Sequence, residues 1–216
     1  MFIKKILQIL KRRKKFSFVT AHATLEGANH YIADSCSIIL GDGAQRNQLI
    51  LKNSCWLEGT LHVRSGGIII MHEHSRLAPS SEIQCVNRVE IGPYTTIAAH
   101  TTVCDNNNHP ISPQYREFMR TTPRLSDARE WKHSANAPII IGRNCWIGSN
   151  VRICKGVSIG DNSIIAACSV VTKSVPANCI AAGNPAKVVK TDINLIPAPS
   201  SCEDFNLYVT SNKTSL

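Results

Sequence analysis

The sequence predicts an all-β fold, a parallel β-helix in which short strands coil around one aliphatic core. From residue 141 onward, an aliphatic side chain occupies every sixth position: Ile141, Ile147, Ile153, Ile159, Ile165 and Val171. A small residue follows each of them: Gly142, Gly148, Cys154, Gly160, Ala166 and Thr172. An α-helix would repeat every three or four residues and an ordinary strand every two, so neither explains a period of six.

Six residues are the length of one short strand and one turn. Three such units close a triangular coil in which each side directs an aliphatic residue inward and small residues fit the corners. Successive coils then stack at the spacing of neighbouring strands, ~4.8 Å. The upstream half repeats less cleanly, in three phases: Leu51, Leu57 and Val63; Leu77, Ile83 and Val89; Ile91, Ile97 and Val103.

The pattern divides the 216 residues into three parts. Residues 1–24 form a basic amphipathic N-terminal segment, residues 25–190 form the β-helix, and residues 191–216 form a polar tail. Between Val103 and Ile139 the period is lost, which predicts a long loop excursion over residues 104–138. Loops of this length inside a compact domain are usually functional or disordered.

The net charge of +9 is concentrated at the N-terminus. Residues 1–15 hold seven of the 24 Lys and Arg and no acid, so the rest carries 17 basic residues against 15 acidic ones. A nearly neutral body argues against a nucleic-acid partner. The 43% hydrophobic and 18% charged content is typical of a soluble globular protein.

The basic start has two open interpretations. Apolar residues recur at three-to-four-residue spacing, so a helix would be amphipathic with a cationic face: Phe2, Ile3, Ile6, Leu7, Ile9 and Leu10. Such a helix suits peripheral contact of residues 1–15 with an anionic inner membrane, or it caps its own domain. The apolar run is too short for a secretory signal or a membrane span, so we expect a cytoplasmic protein, at most peripheral at the inner membrane.

Nine cysteines between Cys36 and Cys202 include no C-x-x-C pair, which predicts free, buried thiols in a reducing compartment. A nucleophilic cysteine in a covalent acyl-enzyme is the alternative, and it would need an adjacent base. His72 and His74 lie on one side of an extended segment, yet the sequence shows no third or fourth ligand beside them, so we expect no metal.

The chain closely resembles the hexapeptide-repeat acyltransferases over residues 25–190. The stretch IGRNCWIGSNVRICKGVSIGDNSIIAACSVVTKS and the ending AGNPAK carry the resemblance. It is strongest to the galactoside, maltose and xenobiotic acetyltransferases and to acetyltransferases of bacterial surface polysaccharides. It implies that the coil is left-handed, an exception to the usual right-handed crossover, and that three copies assemble as a homotrimer.

The resemblance also gives a role to the break DNNNHPISP, because in similar enzymes the His of an H-P pair at the start of this loop is the catalytic base. That residue is His109 here, and Asp105 is the candidate for orienting its ring. Imidazole has a pKa near working pH, and Pro110 restricts His109 to extended geometry. Taken locally, an exposed loop histidine beside turn-forming asparagines is the alternative.

The resemblance implies acetyl-CoA as the donor and no prosthetic group. The positions that contact coenzyme A in similar enzymes correspond here to Trp146, Ser149, Ala167, Thr172, Lys173, Lys187 and Lys190. Small Ser149 and Ala167 would admit pantetheine between coils, and the lysines would meet phosphates, although each lysine is also explicable as a solvated surface charge. Trp146 would pack at the mouth of the donor groove or between subunits.

The acceptor is expected to be a carbohydrate, with Asn87, His100 and Asn108 as candidate contacts. The hypothesis is O-acetylation of a sugar in a bacterial surface polysaccharide or its precursor, by direct attack. Two alternatives stay open. The same base and cleft would serve an amino sugar or an antibiotic, and hexapeptide coils also occur as non-catalytic binding or scaffold proteins.

Overall fold

The computed structural model describes residues 2–199 and 201–203, with the side chains of residues 2–9 and 12 excluded. The chain forms an all-β, left-handed parallel β-helix, as predicted. Its strands alternate among three sheets, which are the three sides of the coil. Every neighbouring pair of strands is parallel except the last pair, β19 and β20.

Sheet A contains β1 (Thr24–Leu25), β4 (Leu49–Leu51), β7 (Ile68–Met71), β10 (Arg88–Ile91), β13 (Ile139–Ile141) and β16 (Ser158–Ile159). Sheet B contains β2 (Tyr31–Ile32), β5 (Trp56–Leu57), β8 (Arg76–Leu77), β11 (Thr96–Ile97), β14 (Trp146–Ile147), β17 (Ile164–Ile165), β19 (Ile180–Gly183) and β20 (Ala186–Lys190). Sheet C contains β3 (Ser37–Gly41), β6 (Thr60–Arg64), β9 (Glu82–Cys85), β12 (Thr102–Cys104), β15 (Arg152–Cys154) and β18 (Val170–Val171).

The core is the inside of the coil. All six aliphatic residues of the downstream repeat are buried, as are the residues four positions after them: Cys145, Val151, Val157, Ser163, Ser169 and Val175. Asparagines occupy corners with positive φ: Asn144, Asn150, Asn162 and Asn178, with φ between 53° and 59°. Among non-glycine residues, Asn tolerates this left-handed conformation best, so its recurrence has a conformational cause.

Coil length explains why the upstream repeat changes phase. Leu77 pairs with Ile97, twenty positions later, whereas Ile147 pairs with Ile165, eighteen positions later. The longer strand β10 places both Val89 and Ile91 in the core. The phase therefore shifts by two residues while the side chains stay inside.

The N-terminal segment is an α-helix, α1 (Phe2–His22), that contacts β2 and β3 at the first coil. Val19 and Ala23 are fully buried, and Lys15 Nζ donates a hydrogen bond to the carbonyl of Cys36 at 2.6 Å. The second half of the helix therefore caps the coil. The side chains at positions 1–9, on which the membrane interpretation depends, lie outside the described residues. None of the helices within the described ranges combines the length and apolar character needed to cross a bilayer.

Between β12 and β13 the chain leaves the coil and folds into α2 (Pro113–Thr121) and two short 3-10 helices, Asp127–Arg129 and Trp131–His133. Ser112 Oγ caps α2 by accepting from the N–H of Tyr115 at 3.3 Å. The returning arm packs on sheet C of the same chain, because the Trp131 ring lies 4.5 Å from the Arg64 guanidinium carbon.

Past β20, a 3-10 helix spans Ile193–Leu195. The rest of the expected polar tail is only partly covered, since residue 200 and residues 204–216 lie outside the described residues.

Candidate active site

Asp105 fixes the point where the excursion begins. It directly follows β12 and is fully buried. Its carboxylate accepts hydrogen bonds from the N–H of Val86 at 3.0 Å, the N–H of Asn87 at 2.8 Å and the side-chain amide of Asn106 at 3.0 Å. The carboxylate therefore pins the start of the excursion to the turn between β9 and β10, one coil below.

The two arms of the excursion are joined where they leave and re-enter the coil. Asn106 and Asn136 form an isolated antiparallel bridge, and the N–H of Asn107 donates to the carbonyl of Ala135 at 3.0 Å. The side-chain amide of Asn87 donates to Asn136 Oδ1 at 2.9 Å. Asn87 therefore lies at the base of the excursion, in contact with both arms.

Asn108 and His109 follow this joined base. Asn108 has a φ of 60° and donates to Gln84 Oε1 at 3.3 Å. The backbone N–H of His109 donates to the carbonyl of Asn107 at 2.7 Å, and its side chain is exposed beside a cavity of about 70 Å³. The hydrogen bonds of Asp105 go to residues other than His109, so a direct contact between the two side chains stays a prediction.

Two of the expected donor-binding residues lie in successive coils, at the corner between sheets B and C. Ser149 follows β14 and Ala167 follows β17, and the carbonyl of Ser149 accepts from the N–H of Cys168 at 2.9 Å. Gly148 keeps these turns close, because a Cβ there would lie 2.6 Å from the Ala167 nitrogen. Trp146 stands on the outer face of sheet B, 63% exposed, between Thr96 and Ile164.

The remaining donor candidates are all exposed. Thr172 and Lys173 follow β18, at the corner between sheets C and A. Lys187 and Lys190 lie on β20, paired with β19 at the end of sheet B. The corner that carries Ser149 and Ala167 and the corner where the excursion leaves are thus separated by the width of sheet C in a single chain.

His100 belongs to the corner of Ser149 rather than to that of His109. It lies between β11 and β12 with a φ of 60°, and its side chain is exposed. In the next coil, the N–H of Asn150 donates to the carbonyl of Ala99 at 3.1 Å. Of the three expected acceptor contacts, Asn87 and Asn108 therefore lie at the base of the excursion, and His100 does not.

His72, His74 and the buried cysteines make packing and hydrogen-bond contacts that explain their positions without a catalytic role. His72 Nε2 is 2.8 Å from a carboxylate oxygen of Glu90, and His74 stacks on Tyr94 with ring centroids 5.0 Å apart. The described residues include no group of three or more His, Cys, Asp or Glu placed to hold a metal ion. Burial raises the pKa of both Cys36 and Cys55 to about 11, which disfavours their thiolates.

Sequence reasoning missed three arginines beside His109. Arg116, Arg120 and Arg129 line the same cavity, together with Met119. The available signal was the four-residue spacing of Arg116 and Arg120, which puts both on one face of a helix. It was overlooked because the excursion was expected to be a loop, although Ser112 followed by Pro113 is typical of a helix start.

Comparison with known proteins gives one family and several relatives. Residues 138–173 match the family model "Bacterial transferase hexapeptide (six repeats)". A galactoside O-acetyltransferase of Escherichia coli is 42% identical over 95 residues, covering 44% of this chain and 47% of the relative. A putative lipopolysaccharide biosynthesis O-acetyl transferase, WbbJ, of the same organism is 32% identical over 124 residues, covering 57% of this chain and 61% of the relative.

The fold also matches solved structures. An N-acyltransferase, AntD, from Bacillus cereus, in complex with dTDP and coenzyme A, superposes with a TM-score of 0.64 at 18% identity, over 91% of this chain and 96% of that one. At this identity the likeness concerns the fold alone. The chain spans about half to three fifths of the lengths of the two curated relatives above.

Proposed function

The chain belongs to the bacterial transferase hexapeptide family, and from this premise we propose that it transfers acetyl from acetyl-CoA to a hydroxyl of a sugar. The proposed acceptor is a bacterial surface polysaccharide or its precursor, in line with the two curated relatives, which are named as O-acetyltransferases. One observation carries the proposal. The imidazole of His109 is exposed, and it lies just after the start of the excursion, which the buried Asp105 fixes to the coil.

His109 is the proposed general base. Its imidazole takes the proton of the acceptor hydroxyl while the oxygen attacks the thioester carbonyl carbon. The C–S bond then breaks, and the leaving thiolate receives the proton that the imidazole took. General-base help of this kind contributes about 10² to 10⁴ in rate. Asp105 acts as a positioning residue, because its hydrogen bonds fix the backbone four residues before the imidazole.

The residues on the coil fit the donor. Ser149 and Ala167 have small side chains at neighbouring corners of the coil, and a slender pantetheine arm is proposed to lie along them. The N–H groups of Gly148 and Asn150 are bonded within the coil, so the N–H of Ser149 is the proposed donor to the oxyanion. Three exposed lysines are available to the phosphates of coenzyme A: Lys173, Lys187 and Lys190.

The proposed assembly is a homotrimer with a site at each subunit boundary. In one chain, the corner of Ser149 and the corner of His109 are separated by sheet C. A second copy is therefore needed to bring the acetyl-CoA held at its own Ser149 corner next to His109. The excursion offers apolar contacts for such a copy, since Ile111 is 77% exposed, Phe118 53% and Leu125 97%. All nine cysteines are free, in keeping with the proposed cytoplasmic location.

The test is thiol release from acetyl-CoA with a panel of neutral sugars, acidic sugars, amino sugars and surface polysaccharides. Acceptor-dependent release with hydroxyl acceptors is expected. Release that occurs only with amino sugars would replace O-acetylation by N-acetylation. A scaffold would show neither release nor a thermal shift with coenzyme A, whereas a ligand at a hundred times its Kd adds about 2.7 kcal/mol of stability.

A further inference from the structure

Three arginines line one cavity together with His109. Arg116 and Arg120 lie one turn apart on α2, and Arg129 approaches from the 3-10 helix of the returning arm. Together with Met119 and His109 they line the cavity of about 70 Å³. A water needs roughly 10 to 15 Å³ of such space, so the cavity has room for a compact group such as a carboxylate or a phosphate, with a few waters.

The ion pairs of the described residues leave the arginines of this cavity without an acidic partner. The ion pairs described in the excursion join Lys132 to Asp127 and Glu130, and His133 to Asp127. Among the described ion pairs, none engages Arg116, Arg120 or Arg129. Arg116 and Arg120 lie four residues apart on α2, where like charges repel one another.

The guanidinium groups of Arg116 and Arg129 also have N–H donors beyond those that bond to the protein. Arg116 Nη1 donates to the carbonyl of Ile111 at 2.6 Å, and Arg129 Nη2 donates to the carbonyl of Thr122 at 3.0 Å. Each guanidinium has five N–H donors, so most are left for another acceptor. Arg129 Nε is shielded from solvent and has no acceptor among the described residues. A buried unpaired donor is costly, and an anionic ligand would satisfy it.

We propose that Arg116, Arg120 and Arg129 bind an anionic group of the acceptor, a carboxylate or a phosphate, and thereby select acidic glycans and place their hydroxyl at His109. This inference rests on the proposed acetyl transfer and narrows its substrate class. Arginine suits the task because its planar fork pairs with both oxygens of a carboxylate or phosphate.

The acceptor is a better occupant of the arginine-lined cavity than coenzyme A is. The residues proposed to meet coenzyme A all lie on the coil, including Thr172 and Lys173 at the corner where the excursion leaves, whereas the three arginines are on the excursion itself. They line the same cavity as the imidazole that must reach the acceptor hydroxyl. The anionic group would therefore lie within a few atoms of the acetylated position.

The experiment compares three probes that share a glucose ring: methyl glucuronide, glucose 1-phosphate and methyl glucoside. Binding is measured by calorimetry on the full chain, and thiol release from acetyl-CoA is measured in parallel. Tighter binding of one anionic probe than of the glucoside is expected, and the preferred probe identifies carboxylate or phosphate. Arg116→Gln and Arg120→Gln should weaken that binding at least about tenfold and raise KM for the acidic acceptor.

Two comparisons keep the result specific. Arg124→Gln removes a charge from the same excursion but outside the cavity, and it should leave binding unchanged. Arg116→Lys should restore part of the binding, because the charge is kept while the fork is lost. Equal binding of all three probes, or a rise in KM for acetyl-CoA instead of the acceptor, would overturn the inference while acetyl transfer stands. Selective anion binding without any thiol release would contradict the proposed acetyl transfer but would still support the anion site.

Discussion

The carboxylate of Asp105 accepts a hydrogen bond from the backbone N–H of Asn87 at 2.8 Å, between neighbouring coils of the β-helix. This contact joins the start of the excursion to the turn between β9 and β10 in the coil below. Asn87 in turn holds Asn136 on the returning arm. The base of the excursion is therefore fixed from both sides, and His109 is presented from a defined position.

Removing this anchor should loosen the site without touching the donor groove. Asp105→Ala leaves the N–H groups of Val86 and Asn87 unpaired, and hydrogen bonds to charged groups are worth about 1.5 to 3 kcal/mol. We expect unfolding by denaturant to show a loss of about 3 kcal/mol. Asp105→Asn keeps one acceptor oxygen and should lose less in both stability and thiol release. Abolished release at unchanged stability in Asp105→Asn would instead indicate a direct chemical role.

Gly148 sets the spacing of the proposed donor groove. A Cβ in Gly148→Ala would lie 2.6 Å from the nitrogen of Ala167, so the corner must shift. Overpacking of this kind costs about 1 to 3 kcal/mol, and coenzyme A binding should weaken with it. Gly66→Ala is the matched control, since nothing lies within 4 Å of its added Cβ. Equal effects of the two substitutions on melting temperature and binding would contradict this account of the corner.

Stability should fall on mild acidification. Burial lowers the pKa of His62, while Glu82 opposes this and Arg64 adds to it. A lowered folded-state pKa means that the contribution is complete above the unfolded pKa of about 6.5 and is lost as pH falls. The free energy of unfolding should therefore decrease from pH 7 to pH 5, and His62→Gln should reduce the slope. An unchanged slope in that variant would rule out His62 as a source.

Cysteine labelling tests the direct-attack mechanism. Cys168 is exposed at the corner next to Ala167, whereas Cys36 and Cys55 are buried with pKa values of about 11. Maleimide at neutral pH should modify Cys168 quickly and the two buried thiols only after unfolding, as read by mass spectrometry. Cys168→Ser should keep most thiol release. Loss of release, with acetyl trapped on Cys168 in the parent protein, would favour a covalent acyl-enzyme.

The coil could be predicted from the sequence because each of its six-residue units repeats the same packing requirement. Ile147 and Ile165 both lie in the core for the reason that the period indicated, and the Asn at each corner marks a left-handed turn. The upstream coils were harder to interpret, because two extra residues in each coil shift the phase of the six-residue repeat without exposing Val89 or Ile91. A fixed period cannot describe coils of two lengths.

The site was harder to predict than the coil because its contacts are not periodic. By analogy with a catalytic triad, Asp105 is expected to orient His109, and this stays a prediction; the contacts of its carboxylate to backbone groups nineteen and eighteen positions upstream could not be foreseen from the sequence. The helix α2 and its arginines depend on local capping by Ser112 and on packing of Trp131 against sheet C. Both are long-range or context-dependent, and neither follows from a repeat.

The central claim is that His109 removes the acceptor proton. The most direct measurement is thiol release from acetyl-CoA by His109→Ala, with a hydroxyl acceptor that the parent protein uses, alongside His74→Ala at a distant corner. The account predicts a fall of at least about a hundredfold for His109→Ala, with coenzyme A binding and melting temperature retained, and little change for His74→Ala. Release that survives the loss of His109 would contradict the account and place the base elsewhere, with His100 the next residue to test.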